Sequence, residues 1–359
     1  MHFAFSDQQD EFRRAVRQVL ANECTPEHLR AAYERPQART GRWATLTELG
    51  VVGLSVPESN GGLGLGLVDL VPLLEEAGRV ALPEPLLETT ALAAPLLVGL
   101  AQRHGEGRGW GRADSWLDGI ARGEKAAAVG PVPTGASPTP VAGADGADVL
   151  VLFSTGDGAD SASGPGIHVV DAEEVTVRAV PSLDPTRRLG VPHWAPTPDT
   201  AVASGGEAAT TIRDLCDRAA VATGAELLGL TERMITLAAD YAKERRQFGS
   251  PIGSFQAVKH LLAGARVALE FARPMVYAAA WSIDEQTRDA SRAASAAKAT
   301  ASEAAVEAAR VSLQVHGAIG YTWECDLHLY LKRAWALSEA WGSAAEHRRR
   351  VLDSLVGTV

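Results

Sequence analysis

Strand-forming patterns in this chain are confined to one central stretch, about residues 126–205, and helical patterns lie on both sides of it. In the centre, 149–153 and 167–170 are short apolar runs of strand length, and 175–180 alternates apolar with polar residues. Strands and helices do not alternate, and no Gly-x-Gly-x-x-Gly sequence follows a strand, so a Rossmann dinucleotide domain is not expected. The order predicts an α+β protein that is mostly α.

Three domains follow from this order. They are an N-terminal helical domain (1–125), a small, reduced middle β domain (126–206) and a C-terminal four-helix-bundle domain (207–359). In the first domain, Ser6 is a suitable N-cap for a helix with acidic residues in its first turn.

The C-terminal domain is predicted to contain long helices over 219–241, 255–285 and 293–316. The third of these is rich in alanine, which is the best helix former and permits close approach of neighbouring helices. We therefore interpret it as the centre of the bundle.

The composition excludes several classes of partner. Acidic residues outnumber basic ones by 44 to 34, for a formal net charge of -10, which argues against nucleic acid and against an anionic membrane surface. The cysteines Cys24, Cys216 and Cys325 are far apart and do not have metal-ligand spacing. We expect no leader peptide, no membrane span and no metal site, and hence a cytoplasmic protein.

Two segments of the C-terminal domain have the residue types of a nucleotide site. Arg245 and Arg246 follow a long helix and precede Phe248. A guanidinium offers a planar fork to pyrophosphate oxygens, and an aromatic ring can lie against an adenine or a flavin. Gly317 follows a helix that contains Gln314, and without a side chain its backbone can approach a phosphate closely. The arginine segment alone is also consistent with a helix C-terminus carrying solvated charge, but the two segments together favour a ligand.

The sequence resembles the acyl-CoA dehydrogenase family over roughly two-thirds of its length, at motifs in consistent order and spacing. In the N-terminal part the motifs are Trp43…Leu49-Gly50-Val51, Val56-Pro57-Glu58, Gly61-Gly62-Leu63-Gly64, Glu76-Ala77-Gly78-Arg79 and Gly123-Glu124. In the C-terminal part they are Arg245-Arg246-Gln247-Phe248-Gly249-Ser250-Pro251-Ile252, Phe255-Gln256 and Gln314-Val315-His316-Gly317-Ala318-Ile319-Gly320-Tyr321-Thr322. The resemblance implies the family's fold and its FAD-dependent α,β-desaturation of an acyl thioester.

In that family the two C-terminal segments reach across a dimer interface to the pyrophosphate and adenosine half of a neighbour's FAD. The resemblance implies that the contacts here are made by Arg245, Gln247, Phe248, Gln314, Gly317 and Ala318. Ala318 stands where glycine is usual, and we expect its side chain to displace the backbone slightly from the phosphate.

The middle domain departs from the family where the flavin ring is normally held. Neither a Thr-Glu/Gln…Gly-Ser-Asp loop nor a later Trp-Ile-Thr strand is present. The run Leu183-Asp184-Pro185-Thr186-Arg187-Arg188-Leu189 resembles the late middle-domain stretch of short actinobacterial-type members. We therefore expect that this chain does not hold an isoalloxazine ring by itself.

The catalytic base is also missing from its usual place. Desaturation requires a carboxylate within reach of the substrate α-proton while hydride leaves Cβ. Where the family commonly has Tyr-Glu-Gly-Thr, this chain has Ala340-Trp341-Gly342-Ser343, and an indole cannot accept that proton. Glu339 lies two residues earlier and is interpreted as a solvated surface residue.

Asp217 is a weak second candidate for the base. Some family members place the base just before an arginine at the start of the first C-terminal helix, and here Asp217 precedes Arg218. Aspartate is one methylene shorter than glutamate, which places the carboxylate roughly 1.5 Å farther from the proton, and misplacement on that scale can cost about 100-fold in rate. The alternative is that Asp217 is an acid at a helix start, stabilised by the helix dipole.

Other polar groups have simpler interpretations. His316 is expected to orient the backbone at a helix end rather than to act in catalysis. The run Arg348-Arg349-Arg350 is interpreted as a solvated face, with a patch for the phosphates of coenzyme A as the alternative.

Three functions stay open. The favoured one is a base-less subunit of a heteromeric α2β2 enzyme, in which a second acyl-CoA dehydrogenase subunit supplies the flavin-ring pocket and the base, with an electron-transfer flavoprotein-type acceptor. The second is a self-sufficient homo-oligomeric flavoenzyme that uses Asp217. The third is a catalytically inactive scaffold. Steroid side chains, branched acyl groups and carrier-protein-bound intermediates are all compatible substrates.

Overall fold

The computed structural model describes residues 4–36, 39–104, 112–132, 139–156, 164–197 and 199–357. Two compact units are present, each built from separate stretches of the chain. The first comprises Met1–Arg30, Val71–Leu82 and Ala220–Val359, and the second comprises Ala31–Leu70 and Pro83–Ala219.

Helices account for most of the described residues. The α-helices are α1 (Asp7–Glu23), α2 (Pro26–Glu34), α3 (Gly41–Glu48), α4 (Leu67–Arg79), α5 (Ala94–His104), α6 (Ala113–Ala121), α7 (Gly205–Glu244), α8 (Gln256–Asp284), α9 (Ala290–His316), α10 (Leu327–Glu339) and α11 (Ala344–Val356). A π-helical segment, Leu87–Ala93, leads into α5.

The strands are β1 (Ala127–Pro131), β2 (Val149–Ser154), β3 (Gly166–Asp171), β4 (Thr176–Ala179), β5 (Gly190–His193), β6 (Ala201–Ser204), β7 (Arg246–Gln247) and β8 (Ser250–Pro251). The predicted α+β class, mostly α, is confirmed. The boundaries of the three predicted domains stay a prediction.

In the first unit, α1 begins as its sequence indicates. Ser6 Oγ accepts from the backbone N–H of Gln9, and the Gln9 side chain accepts from the Ser6 backbone N–H, which makes a capping box. Arg13 Nε and Arg17 Nη2 donate to Glu76 of α4 at 2.8 and 2.7 Å. Burial acts against the charge of Glu76, but the arginines outweigh it and hold the pKa of this carboxyl below its usual range. Charge pairing therefore fixes α1 to α4.

Helix α9 is the centre of the helical bundle, as its alanines predicted. It packs against α8, α10 and α11. Ser312 Oγ of α9 also donates to the Met234 carbonyl of α7 at 2.9 Å. Small buried side chains allow α9 to have neighbours on several sides at once.

Two glycines let α4 and α7 cross closely. A Cβ placed on Gly78 would lie 2.0 Å from the Glu226 carbonyl oxygen, and one placed on Gly229 would lie 1.9 Å from the Glu75 carbonyl oxygen. Both distances are far below van der Waals contact, so each position requires glycine. Gly78 belongs to the Glu76-Ala77-Gly78-Arg79 motif, which explains why that motif contains a glycine inside a helix.

The second unit contains the small β structure. A four-stranded sheet has the order β1-β2-β3-β6, in which β1 and β2 are parallel and the other neighbours are antiparallel. Strands β4 and β5 form a separate antiparallel pair. The core beside the sheet includes Leu150, Leu152 and Val170, with Trp194 packed against it. Part of the irregular sequence that precedes β2, residues 133–138, lies outside the described residues.

The prediction for the start of α7 was wrong. We expected this helix to begin near residue 219, but it begins at Gly205 and continues for 40 residues. Ala208, Ile212, Leu215 and Ala219 are buried at i, i+4, i+7 and i+11, so the apolar face extends over three further turns.

Candidate functional site

The first predicted segment forms a tight β-hairpin directly after α7. Strand β7 pairs with β8 in the register Arg246 opposite Pro251 and Gln247 opposite Ser250. The two-residue loop consists of Phe248 (φ 51°) and Gly249 (φ 80°), so both of its residues are left-handed, as a type I′ turn requires. A phenylalanine in this conformation is strained, and its presence indicates a use for its side chain at the tip.

Phe248 projects into solvent and is 94% exposed. Its nearest aromatic neighbour is Phe255, with ring centroids 6.3 Å apart in an edge-to-face arrangement. The left-handed backbone of Phe248 costs free energy, and so does the exposure of its phenyl ring to water. Contact with a ring or an apolar surface of a ligand or partner would remove the second cost. The predicted role of Phe248 in stacking is therefore physically reasonable.

The polar groups of the hairpin divide into two kinds. Arg246 Nη2 donates to the Gly249 carbonyl at 3.0 Å, and Gln247 Nε2 donates to the Arg246 carbonyl at 2.8 Å, so both side chains support the turn itself. Within the described part of the chain, the exposed Arg245 guanidinium makes no hydrogen bond or ion pair. Of the two arginines, Arg245 is therefore the one available to an anion.

The second predicted segment lies at the C-terminal end of α9. Gln314, Gly317 and Ala318 are all exposed. Gly317 has φ 63° and ψ -140° and ends the helix, and a Cβ placed on it would have no heavy atom within 4 Å. The space above its backbone is open, as a ligand phosphate would need. Ala318 is not among the residues with positive φ, so alanine fits this position without backbone strain.

Tyr241 and His316 bring the two segments together. Their rings stack with centroids 4.6 Å apart and planes inclined by 18°. Tyr241 lies one turn before Arg245, whose backbone N–H donates to the Tyr241 carbonyl, and His316 immediately precedes Gly317. The ends of α7 and α9 therefore lie side by side, with the hairpin and the glycine at one end of the bundle.

His316 acts as the expected structural residue. Its Nδ1–H donates to the Ser312 carbonyl at 2.8 Å, one turn earlier in α9. Burial lowers the pKa of this imidazole, and the bond to the carbonyl offsets the effect only in part. A neutral ring suits a face-to-face stack with a phenol.

Asp217 is not at a helix start. Because α7 begins at Gly205, Asp217 lies more than three turns into the helix, and the interpretation that the helix dipole stabilises it was wrong. The residue is buried, and its charge contributes to a raised pKa of Asp214, whose main cause is the burial of Asp214 itself. Arg218 Nε donates to the Ala91 carbonyl at 2.6 Å. Asp217 belongs to the second unit, whereas the hairpin and the end of α9 belong to the first.

The segment expected to carry the usual base is a fixed loop between α10 and α11. Trp341 (φ 59°) and Gly342 (φ 105°) have left-handed backbones, and His347 Nε2 lies 3.0 Å from the Trp341 carbonyl oxygen. Lys298 of α9, which is fully buried, donates to the Gly342 carbonyl at 3.1 Å and to the Ser338 carbonyl at 2.9 Å. The loop is held from inside the bundle.

Lys298 and Tyr241 are the two important residues that the sequence analysis missed. Lys298 could have been noticed, because it is a single charge on the buried alanine face of α9. Tyr241 offered no signal, since its role depends on the position of His316 some 75 residues later.

The remaining predicted groups have local roles. Arg348 pairs with Glu303, and Arg350 Nη2 donates to Ser291 Oγ at 3.2 Å, so two of the three consecutive arginines attach α11 to α9. Glu339 is exposed, as expected. Among the described residues, no group of three or more His, Cys, Asp or Glu could hold a metal ion. No helix in the same residues is long and apolar enough to cross a membrane.

Two family models match the sequence. The model of the acyl-CoA dehydrogenase C-terminal domain matches residues 210–356, and that of the acyl-CoA dehydrogenase N-terminal domain matches residues 6–105. Together they cover more than half of the chain and contain every predicted site residue.

Full-length relatives share both sequence and structure with this chain. Acyl-CoA dehydrogenase IpdE2 of Mycolicibacterium smegmatis is 32% identical in an alignment of length 351 that covers 96% of this chain and 98% of the relative. The ChsE4-ChsE5 complex from Mycobacterium tuberculosis contains a chain with a TM-score of 0.84 and 26% identity, with complete coverage of both chains. The structure of a Tcur3481-Tcur3483 steroid ACAD G363A variant has a TM-score of 0.81 and 26% identity, covering 98% of each chain.

Proposed function

Because this chain belongs to the acyl-CoA dehydrogenase family of oxidoreductases, we propose that it is the base-less subunit of a heteromeric acyl-CoA dehydrogenase and supplies the adenine-side contacts to a shared FAD. The observation that carries the proposal is the pairing of the Phe248 hairpin with the open end of α9 through the Tyr241–His316 stack. The chain keeps one half of a nucleotide site and has no carboxylate at position 341.

The residues at this end of the bundle fit the nucleotide half of FAD. Arg245 offers an unengaged guanidinium for the pyrophosphate, and the backbone at Gly317 is open to approach. Phe248 offers an exposed ring to a planar group. When bound, FAD supplies the hydride acceptor for the α,β-desaturation of an acyl thioester. This chain's part is to bind and orient the nucleotide end.

The α10–α11 loop supports the proposal that this chain and the catalytic base belong to different subunits. Lys298 and His347 fix the loop around Trp341, and the exposed Glu339 is on α10 rather than in the loop. No side chain in this loop can accept the substrate α-proton, so the base would come from the partner subunit. The ChsE4-ChsE5 complex, with which this chain aligns over its whole length, joins two differently named chains and favours the same arrangement here.

The similarity to the ChsE4-ChsE5 and Tcur3481-Tcur3483 structures also suggests a partner and a substrate class. A second acyl-CoA dehydrogenase subunit would complete an α2β2 tetramer with two flavins, and an electron-transfer flavoprotein-type acceptor would reoxidise them. A steroid-derived acyl thioester is the substrate class that the Tcur3481-Tcur3483 structure suggests. We expect the assembly to work in the cytoplasm.

The test is a flavin count on the chain expressed alone and expressed together with a related acyl-CoA dehydrogenase encoded beside its gene. We expect a colourless chain alone, and one FAD for each pair of chains in the co-purified complex. Arg245→Ala should lower the FAD retained by the complex about tenfold or more, because a charge-assisted contact to phosphate is lost. Lys243→Ala is the matched control, since Lys243 is exposed two residues earlier and pairs only with Asp240 among the described residues.

The buried carboxylate of Asp217 favours one alternative, a self-sufficient homo-oligomeric flavoenzyme. In that case the singly expressed chain would bind FAD and desaturate a thioester, and Asp217→Asn would abolish turnover while FAD stays bound. A chain that stays colourless and inactive with every related subunit would instead be a scaffold.

A further inference from the structure

We propose that Arg30, in the N-terminal part of the chain, is a positioning residue for the candidate nucleotide site: it holds the loop between α9 and α10, residues 317–326, and so fixes the backbone at Gly317. This inference rests on the proposed function, because Gly317 belongs to the segment that we assign to the nucleotide. It adds to that site a residue that lies outside both predicted segments, 294 positions before the loop carbonyl that it contacts.

The loop at 317–326 does not bury its own large side chains. Ile319 is 42% exposed, Tyr321 is 78% exposed and Trp323 is 67% exposed. A surface loop is usually fixed by the apolar side chains that it packs into the core, since burial of apolar area is the main stabilising contribution in a fold. This loop therefore depends on other contacts to hold its backbone in place.

The first half of the loop is attached to α9. Residues Gly317–Tyr321 form a 3-10 helix in which Gly320 is buried. A Cβ placed on Gly320 would lie 3.0 Å from His316 Cβ, so glycine lets the loop pack against the last turn of α9. The backbone N–H and the Oγ1 of Thr322 both donate to the Ile319 carbonyl, at 3.0 and 2.9 Å. The first half is thus a single hydrogen-bonded unit.

The second half of the loop is held by Arg30 of α2. Arg30 Nη2 pairs with the Asp326 carboxylate at 2.6 Å and donates to the Glu324 carbonyl at 3.3 Å. A guanidinium has several donors and can contact a carboxylate and a carbonyl at once, and its hydrogen bonds are stronger than those between neutral groups. Asp326 is the N-cap residue of α10, so Arg30 fixes the loop where it enters that helix. All three residues belong to the first unit.

Two residues of α10 hold Trp323 beside the same half of the loop. Lys332 Nζ lies 4.4 Å from the centroid of the Trp323 ring, and the His328 ring meets that ring edge to face with centroids 4.4 Å apart. His328 Nδ1 also donates to the Cys325 carbonyl at 2.8 Å. These contacts join the loop to the helix that follows it, and Arg30 joins it to the N-terminal part of the chain.

The two halves of the loop are coupled through Thr322. The Cys325 N–H donates to the Thr322 carbonyl at 3.4 Å, and Thr322 is bonded to Ile319, two residues after Gly317. A shift of the second half is therefore passed on to the backbone that faces the nucleotide. Binding groups need to be held within about 0.5 Å of their productive position. Arg30 acts on the nucleotide through the loop, without touching it.

The experiment compares Arg30→Ala with Arg14→Ala in the full-length chain expressed alone. Arg14 is exposed on α1, and among the described residues its side chain bonds only to the Asp10 carbonyl, at 3.1 Å. Because Arg30 and Asp326 are partly exposed, we expect hydrogen exchange of the amides at 317–326 to accelerate about threefold to tenfold in Arg30→Ala. The amides of α9 should keep their protection, and the urea midpoint should match that of Arg14→Ala. Arg30→Lys, which keeps the charge opposite Asp326, should recover part of the effect.

The titration of His328 is a second readout, which a general loss of stability would not move in this way. Burial lowers the pKa of His328, and the charges of Lys332 and Arg30 lower it further. The Asp326 carboxylate acts in the opposite sense. Loss of Arg30 removes a cation and leaves Asp326 without this partner, so the pKa of His328 should rise in Arg30→Ala and stay unchanged in Arg14→Ala. NMR titration of the imidazole carbons measures it, and His328→Asn assigns the signal.

FAD binding by the co-purified complex connects the loop to the nucleotide. We expect Arg30→Ala to raise the Kd for FAD about threefold to tenfold and Arg14→Ala to leave it unchanged. Unchanged exchange at 317–326 in Arg30→Ala would overturn the proposal, and so would faster exchange with a Kd equal to that of the wild type. A wild-type complex without flavin would contradict the proposed function instead, and the exchange and the His328 titration would still decide whether Arg30 holds the loop.

Discussion

The ring of Tyr241 stacks on the ring of His316, with centroids 4.6 Å apart and planes inclined by 18°. This contact joins the last turns of α7 and α9, and each helix continues directly into one half of the candidate nucleotide site. The stack therefore fixes the spacing of two segments that are far apart in sequence, although neither ring is among the predicted ligand contacts.

Removal of the stack should affect both stability and the cofactor. We expect Tyr241→Ala to lower the free energy of unfolding by about 1–3 kcal/mol and to reduce the FAD retained by the co-purified complex. Tyr241→Phe keeps the ring and should behave like the wild type. Urea unfolding and a flavin count provide the two measurements. Equal stability and equal flavin content in the two variants would contradict this account of the site.

The buried imidazoles predict an acid-sensitive fold. Burial lowers the pKa of His168, His316 and His328, so the folded chain resists their protonation. Below the ordinary histidine value of about 6.5, the unfolded state binds more protons, and the free energy of unfolding falls as the pH falls. Their contribution is present in full above that pH and is lost below it.

We expect the free energy of unfolding, measured with urea, to fall as the pH is lowered from about 7 to about 5. In this range the histidines titrate, whereas the paired carboxylates stay ionised. His316→Asn, whose amide can still donate to the Ser312 carbonyl, should reduce that slope, whereas substitution of the exposed His193 by Asn should not. A slope that is equal in both variants would show that His316 does not contribute to it.

Local signals in the sequence predicted several helix ends, whereas the two segments of the candidate site stay a prediction. Ser6 forms its capping box, and Gly317 ends α9 with the positive φ that favours glycine. The start of α7 was missed because Gly205-Gly206 and the β-branched pair Thr210-Thr211 disfavour a helix, and burial of the extended apolar face overrides these propensities.

Contacts between distant residues were not predictable from one sequence. Phe248 and Gly249 resemble a helix end in sequence, but they form the turn of a hairpin whose strands are two residues long. The stack of Tyr241 on His316 depends on how α7 and α9 pack, and neither residue marks it. Periodicity gives the buried face of a helix but does not give its neighbour.

The close crossing of α4 and α7 should make Gly229 one of the most sensitive positions in the chain. Gly229→Ala would drive a methyl group into the Glu75 carbonyl, and we expect a loss of about 3 kcal/mol or more, or failure to fold. Gly206→Ala is the control on the same helix, because a Cβ there meets no atom within 4 Å, and we expect it to be neutral or slightly stabilising. The measurement is the thermal unfolding midpoint of both variants compared with the wild type. A Gly229→Ala chain as stable as the wild type would show that the crossing is not tight.

Lys298 should stabilise the α10–α11 loop, and its substitution should lower the stability of the chain. Its ammonium group is fully buried and donates to Ser302 Oγ and to the carbonyls of Ser338 and Gly342. Lys298→Met keeps the length of the side chain but leaves these acceptors without their donor. Each unsatisfied buried acceptor costs about 1–3 kcal/mol, so we expect a loss of about 2–5 kcal/mol.

Lys243→Met is the matched control, because Lys243 is exposed and its pair with Asp240 is of the kind that contributes about 0–1 kcal/mol. Hydrogen exchange of the amides at 340–343 should accelerate in Lys298→Met before the rest of the bundle opens, since the ammonium group holds two carbonyls at the ends of this loop. If the exchange at 340–343 is unchanged while global stability falls, Lys298 supports the bundle as a whole, and the rigidity of the loop around Trp341 has another cause.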